Sequence, residues 1–208
     1  MITVKPNEEF IQKNYNKTVE LIRQAYKIEN EERSLPSLLT MIQELGVRYA
    51  TAPASSSKNF YCAFPGGLCY HNLHVLQWIV KVANALAPKE HSLESLLKVT
   101  ILSDIGKVGN KDKDLYLPIS EDWKKRNGHY YESNPDIEYM KSNQRSLHLA
   151  SQFGIPLTEE EYLAILLADP SEESNRTYKY KEPKLALILQ FAKQWAQKVE
   201  KSITVDWP

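Results

Sequence analysis

The chain has 208 residues, and 42% of them are apolar, enough for one sizeable helical core. Its 26 basic and 26 acidic side chains cancel, so no net charge draws it generally to nucleic acid or to anionic membranes. No apolar run approaches a membrane span, the first residues show no secretion signal, and Cys62 and Cys69 alone make no disulfide framework, so a reducing, cytoplasmic setting is expected.

Helices are expected from caps and period. Phe10, Tyr15, Val19, Leu21, Ile22 and Tyr26 recur at helical spacing between Asn7 and about Ile28. A second helix begins after Ser34, with Pro36 in its first turn, and stops at Gly46. Thr51 to Gly67 reads as a loop, and a third helix runs from Leu68 to Leu86. A fourth starts at the N-cap Ser92 and continues to Val108, where Gly109 ends it. The connection from Asn110 to Asp136 is rich in tyrosine and charge, and connections that long are more often functional than idle. A fifth helix covers Asn143 to Phe153. The capping box Thr158-Glu159-Glu160-Glu161 opens a sixth that ends at Asp169-Pro170. The last runs from Pro183 to Lys201. No segment longer than four residues alternates cleanly, so no sheet is expected. The chain reads as one all-α domain: residues 1–47 form helices packing on the core, 48–201 the main helical bundle, and 202–208 a tail.

Three polar side chains lie on apolar stripes. His71 shares the third helix's stripe with Leu68, Val75, Trp78, Ile79, Val82 and Leu86, whereas His74 shares a face with Gln77, Lys81 and Asn84. Asp104 lies along the inner face of the fourth helix with Leu93, Leu97, Thr100 and Ile101. Asp169 ends the stripe of Tyr162, Ile165 and Leu166. A carboxylate facing a helical core needs a partner, because an unpaired buried charge costs several kcal/mol. The simple reading is a His71–Asp104 hydrogen bond that joins two helices. The same two groups can also share a divalent metal.

The ordered set of motifs resembles the HD-domain metal-dependent phosphohydrolases, in particular a group common in phages and their bacterial hosts. It begins with Ala52-Pro53-Ala54-Ser55, Pro65-Gly66-Gly67-Leu68 and His71. It continues through Leu102-Ser103-Asp104-Ile105-Gly106-Lys107, Trp123-Lys124-Lys125-Arg126 and Gly128-His129-Tyr130-Tyr131-Glu132. It ends with Arg145-Ser146-Leu147, Leu157-Thr158-Glu159-Glu160-Glu161 and Glu182-Pro183, covering about residues 48 to 198. The resemblance implies an HD-like helical bundle that acts on nucleotides or other phosphate esters through one or two divalent metals (Mn, Mg, Co, Zn or Fe). It implies His71 and Asp104 as metal ligands, with Asp169 as an outer partner. It implies Asp104 and Lys107 as the catalytic pair, with Lys107 facing the phosphate.

The chain departs from the family where ligands are needed. Ser103 stands where the family's paired histidine belongs, Ala168 at a late histidine, Asn143 and Gln144 near another, Asn59 at a loop histidine and Lys193 near a last-helix aspartate. Serine is a poor ligand, and an inward Lys193 repels a cation. The expectation is therefore a phosphohydrolase-like protein with weakened or lost catalysis, whose pocket recognises a nucleotide or other phosphate compound. Lys107, Arg145 and Lys193 are candidates for an anion pocket, with His129 and Tyr131 as further substrate contacts; Tyr116, Tyr130 and Tyr139 are further stacking candidates. Two rival readings remain: a working hydrolase rebuilt with His129, Asp169 and water ligands, and a non-catalytic interaction module. His148 shares a face with Gln144, Ser151 and Gln152 and reads as solvated. A zinc site from Cys62, Cys69, His71 and His74 has no closed spacing to support it.

Overall fold

Caps and apolar period set the helix boundaries in the computed structural model, which describes residues 3–29, 35–169 and 177–206. The helices are α1 (Glu8–Glu29), α2 (Leu35–Thr51), α3 (Gly67–Leu86), α4 (Leu93–Leu102), α5 (Asp122–Arg126), α6 (Ser142–Gln152), α7 (Glu159–Leu166) and α8 (Lys184–Glu200). Helix makes up 59% and strand 7%, so the fold is all-α. The expected helix start after Ser34, the end at Pro170 and the side chains of Tyr26 and Ile28 lie outside the described residues.

Local chemistry accounts for the starts. The Ser92 hydroxyl accepts from Ser95 N at 3.0 Å ahead of α4. Ahead of α7, Thr158 Oγ1 accepts from Glu161 N at 3.2 Å while the Glu161 carboxylate accepts from Thr158 N at 2.9 Å, the reciprocal capping box read from the sequence. Gly46 does not stop α2. It takes φ 46°, which glycine adopts without steric cost, and the helix continues past this kink to Thr51.

Helix α3 packs against α1, α2, α4 and α8. One apolar core runs from α1 to α8 through Ile22, Met41, Ile79, Ile101, Ile165 and Leu189. Each such side chain contributes roughly 1.5–3 kcal/mol on burial. Leu86, Leu93 and Tyr162, expected to face the core, are instead exposed. They extend genuine apolar stripes, but no neighbouring element covers them.

Two small sheets stand beside the helices, where no sheet was expected. β1 (Thr3–Val4) pairs in parallel with β4 (Thr204–Val205), and β2 (Tyr116–Pro118) pairs antiparallel with β3 (Tyr131–Ser133). Strands of two or three residues are too short to show a period. The segment read as a tail is held in place, since Asp206 N donates to Val4 O at 2.8 Å. The long connection is also ordered. Lys58 N donates to Gly128 O at 2.9 Å, and the amides of Tyr130 and Tyr131 both donate to Ser56 O. These bonds fasten it to the loop that presents Phe60 and Tyr61.

The fourth helix ends earlier than its apolar run. α4 stops at Leu102, Ser103 Oγ donates to Thr100 O at 2.9 Å, and Asp104 takes φ −127°. A 3-10 turn then spans Ile105–Lys107. Asp104 therefore sits at a break rather than on a helix face. With about 3.0 residues per turn, the 3-10 geometry brings positions i and i+3 onto one side, here Asp104 and Lys107. Gly106 N donates to Ser146 Oγ at 2.8 Å, locking the turn to α6. A Cβ at position 106 would run into the Ser142 carbonyl oxygen, so only glycine allows this approach. Gly106→Ala is expected to cost on the order of 1–3 kcal/mol, as overpacking does, read as a lower thermal midpoint. An unchanged midpoint would mean that the turn relaxes freely.

Candidate functional site

Asp104 is 2% exposed and meets three cationic groups. Lys107 Nζ lies 2.7 Å from Oδ1, and Lys193 Nζ lies 2.8 Å from Oδ2. His71 Nε2 lies 3.6 Å from Oδ2, too far for a hydrogen bond; this nitrogen is buried with no hydrogen-bond partner. The groups come from three places: His71 from α3, Asp104 and Lys107 from the turn after α4, and Lys193 from α8.

Behind His71 stands a carboxylate that the sequence did not single out. Glu200, on the last turn of α8, accepts from His71 Nδ1 at 2.7 Å and from His74 Nδ1 at 3.0 Å. His74, read as belonging to a solvated face away from His71, instead meets it at a common partner. The two histidines stand at i and i+3, which places them side by side on a helix. Tyr61 stacks on the His71 ring with centroids 4.5 Å apart, and its hydroxyl accepts from Lys107 Nζ at 2.6 Å.

The charges follow from these distances. Burial pushes the Asp104 carboxyl up, but Lys107, Lys193 and His71 together outweigh it and hold it well below the usual carboxylate range. Burial works against a charged His71, but Glu200 and Asp104 overcome it and raise its pKa. Burial also opposes charge on Lys107, yet Asp104 and Tyr61 keep it above an ordinary lysine. Lys193 moves the other way: burial lowers it, Asp104 opposes that, and the like charge of Lys107 adds to the lowering. Burial pushes Glu200 up, but His71 and His74 bring it down to about 2. With His71 and Glu200 as one pair, Asp104 faces two ammonium groups, and the Asp169 carboxylate adds a weaker negative influence on Lys193.

Asp104, Lys107 and Lys193 form the floor of an open cleft of about 430 Å³. Phe60, Tyr61, Ser103, Lys107 and Lys193 line it, with Ser142 and Asn143 from the first turn of α6, Asp169 at the exposed rim, and Gln194 and Gln197 from α8. Asn143 Nδ2 donates to Leu166 O at 2.6 Å and so ties α6 to the end of α7. The Ser142 hydroxyl is buried without a hydrogen-bond partner.

The remaining candidates fall elsewhere. Arg145 is buried, but it donates to Glu138 O at 2.9 Å and does not line the cleft, so it leaves the expected anion pocket. His129 is exposed, pairs with Ser57 through the backbone, and also lies off the cleft. Tyr131 and Tyr116 line a separate cavity of about 200 Å³ on the other side of Lys107. Tyr139 and His148 are exposed, and Cys62 and Cys69 are buried free thiols.

The metal implied by the HD resemblance does not fit these residues. Each oxygen of Asp104 is already within 2.8 Å of an ammonium group, so a divalent cation there would meet two fixed positive charges in contact range. Among the described residues, no group of three or more His, Cys, Asp or Glu side chains is arranged to hold a metal. Compared with protein-family models, curated proteins and solved structures, the chain finds no match in any of the three.

Asp104→Asn leaves two buried ammonium groups without a counter-charge and is expected to cost on the order of 3–5 kcal/mol in chemical denaturation. Lys193→Met leaves Asp104 with Lys107 and His71 and is expected to cost less than about 1 kcal/mol. Equal losses in the two variants would contradict the surplus of positive charge. Glu200 gives a pH test. Its folded pKa is lowered from 4.5 to about 2, so its contribution is fully present above pH 4.5 and is lost as pH falls through 2. The stability gap between wild type and Glu200→Gln is expected to narrow by roughly 3 kcal/mol over that window. A gap that does not depend on pH would contradict the pairing.

Proposed function

We propose that the cleft above Asp104 receives a small phosphate-bearing compound, a nucleotide or another phosphate ester, and holds it without a metal. The observation that carries this reading is the imbalance at Asp104, where two ammonium groups share one carboxylate and both line the open cleft. Asp169 at the exposed rim also acts on Lys193, and an arriving anion would compete with that solvated carboxylate for the two ammonium groups. The first turn of α6 lines the same cleft, and the positive end of a helix dipole favours negative charge. The resemblance to HD-type phosphohydrolases points to the same ligand chemistry.

The arrangement is better suited to binding than to cleavage. The two ammonium groups supply charge to a phosphoryl oxygen but do not acidify a water molecule. Asp104 is held well below the usual range and is a weak base toward water. The roles expected of Asp104 and Lys107 in catalysis thus reduce to placing charge. Lys107 also separates the cleft from the cavity lined by Tyr116 and Tyr131, and those rings stand within reach of the organic part of a larger ligand.

Inorganic phosphate and adenosine monophosphate, titrated in the presence of a chelator, are expected to raise the thermal midpoint. Lys193→Met is expected to weaken both at least tenfold while remaining folded, because it removes one of the two ammonium groups. Binding that requires manganese, or phosphate release that a chelator abolishes, would overturn the metal-free reading. Binding unchanged in Lys193→Met would move the ligand to another site.

A further inference from the structure

Helices α3 and α8 lie antiparallel, in a register that the chemistry of the cleft already reveals. Residue 71 meets residue 200, and Trp78 meets Trp195 edge-on with ring centroids 5.6 Å apart. The same register, continued toward the other end, sets Val82 beside Phe191 and Leu86 beside Leu187. On α8 the spacing 187, 191, 195 is a single outward stripe. These six side chains therefore form three apolar rungs on the outer seam of the helix pair.

No described residue covers the seam. Leu86 is 67% exposed, Leu187 43%, Phe191 63% and Trp195 53%, while Trp78 and Val82 are half-buried. Scattered single apolar residues on a surface need no explanation, but two aromatics and several aliphatics in one block are a different matter. From the usual size of such side chains, the rungs leave on the order of 400–500 Å² of apolar surface in water. Doubled across two copies and widened by the polar rim, that comes to about 1,200 Å², the lower limit for a specific interface.

We infer that this seam is the contact between two copies of the chain. Two antiparallel helices crossing a second such pair about a two-fold axis give a four-helix arrangement, in which the same patch serves both partners. The charges select the direction. The Trp end carries Lys81, whose Nζ lies 4.6 Å from the Trp78 ring centroid, and Lys198, with no carboxylate partner for either found among the described residues, whereas the Leu end carries Glu90 already neutralised by Lys184 at 2.8 Å. A two-fold axis lying in the contact plane along the middle rung lays each Trp end over the other copy's Leu end and keeps the lysines of the two copies apart. Stacking Trp end on Trp end would instead gather four ammonium groups. The chain's zero net charge adds no long-range repulsion between copies.

The test is sedimentation velocity of the full chain over a dilution series, with Phe191→Glu and Leu86→Lys alongside. Neither substituted side chain is in the core, and retained helical circular dichroism shows that each variant folds. A micromolar dimer that becomes monomeric in both variants is the expected result. A wild type that stays monomeric to its solubility limit would overturn the dimer. So would a dimer that both variants leave intact, since the contact would then lie elsewhere. A monomer that floats with lipid vesicles through the same residues would assign the seam to a membrane surface and likewise overturn it. None of these outcomes depends on the anion cleft, which opens on another face of α8.

Discussion

One buried carboxylate shared by three cations is the constraint around which the polar centre is organised. Asp104 fixes the turn after α4, because its side chain must meet Lys107 one 3-10 turn later and Lys193 from α8 at the same time. The turn in turn fixes α6 through Gly106 and Ser146, and α6 supplies one wall of the cleft. Removing a buried charge from its partners is expensive, so this arrangement has few alternatives that keep the same helices in contact.

The second carboxylate, Glu200, makes the first one workable. A neutral His71 would leave Asp104 facing only the two lysines, and a charged His71 without Glu200 would add a second unbalanced cation to the interior. Glu200 takes both His71 and His74, so the imidazole is held by its own counter-charge and the excess stays on the cleft side, at Lys107 and Lys193. The parallel pairing of β1 with β4 starts four residues after Glu200's helix ends and anchors that terminus to Val4 and Thr3. A short strand pair at the chain ends thus supports the polar centre.

Much of this was legible in the sequence, and the failures have physical causes. Helix starts were readable because Ser92, Thr158 and Pro183 act within a few residues of themselves. His71 and Asp104 were readable as polar groups on apolar stripes, and Lys107 and Lys193 came forward through the HD resemblance. Glu200 was not, because its partners lie 126 and 129 residues away and its helix face reads as ordinary surface charge. Tyr61 was hidden for a similar reason, since a loop residue has no period, and its contacts with Lys107 and His71 come from distant parts of the chain. Arg145 was misplaced because sequence gives the helix and the face but not the carbonyl that captures the guanidinium. The stripe through Leu86 was real, but a period cannot say whether anything covers it.

The central claim is that the two ammonium groups beside Asp104 are a seat for an oxyanion and not for a metal. Crystals grown with a chelator and soaked in tungstate, a heavy analogue of phosphate, test it directly through anomalous difference density. The account predicts a peak within hydrogen-bond reach of both Lys107 Nζ and Lys193 Nζ, and its loss in Lys193→Met. Manganese density on Asp104 in a parallel soak, with the lysines displaced, would contradict it.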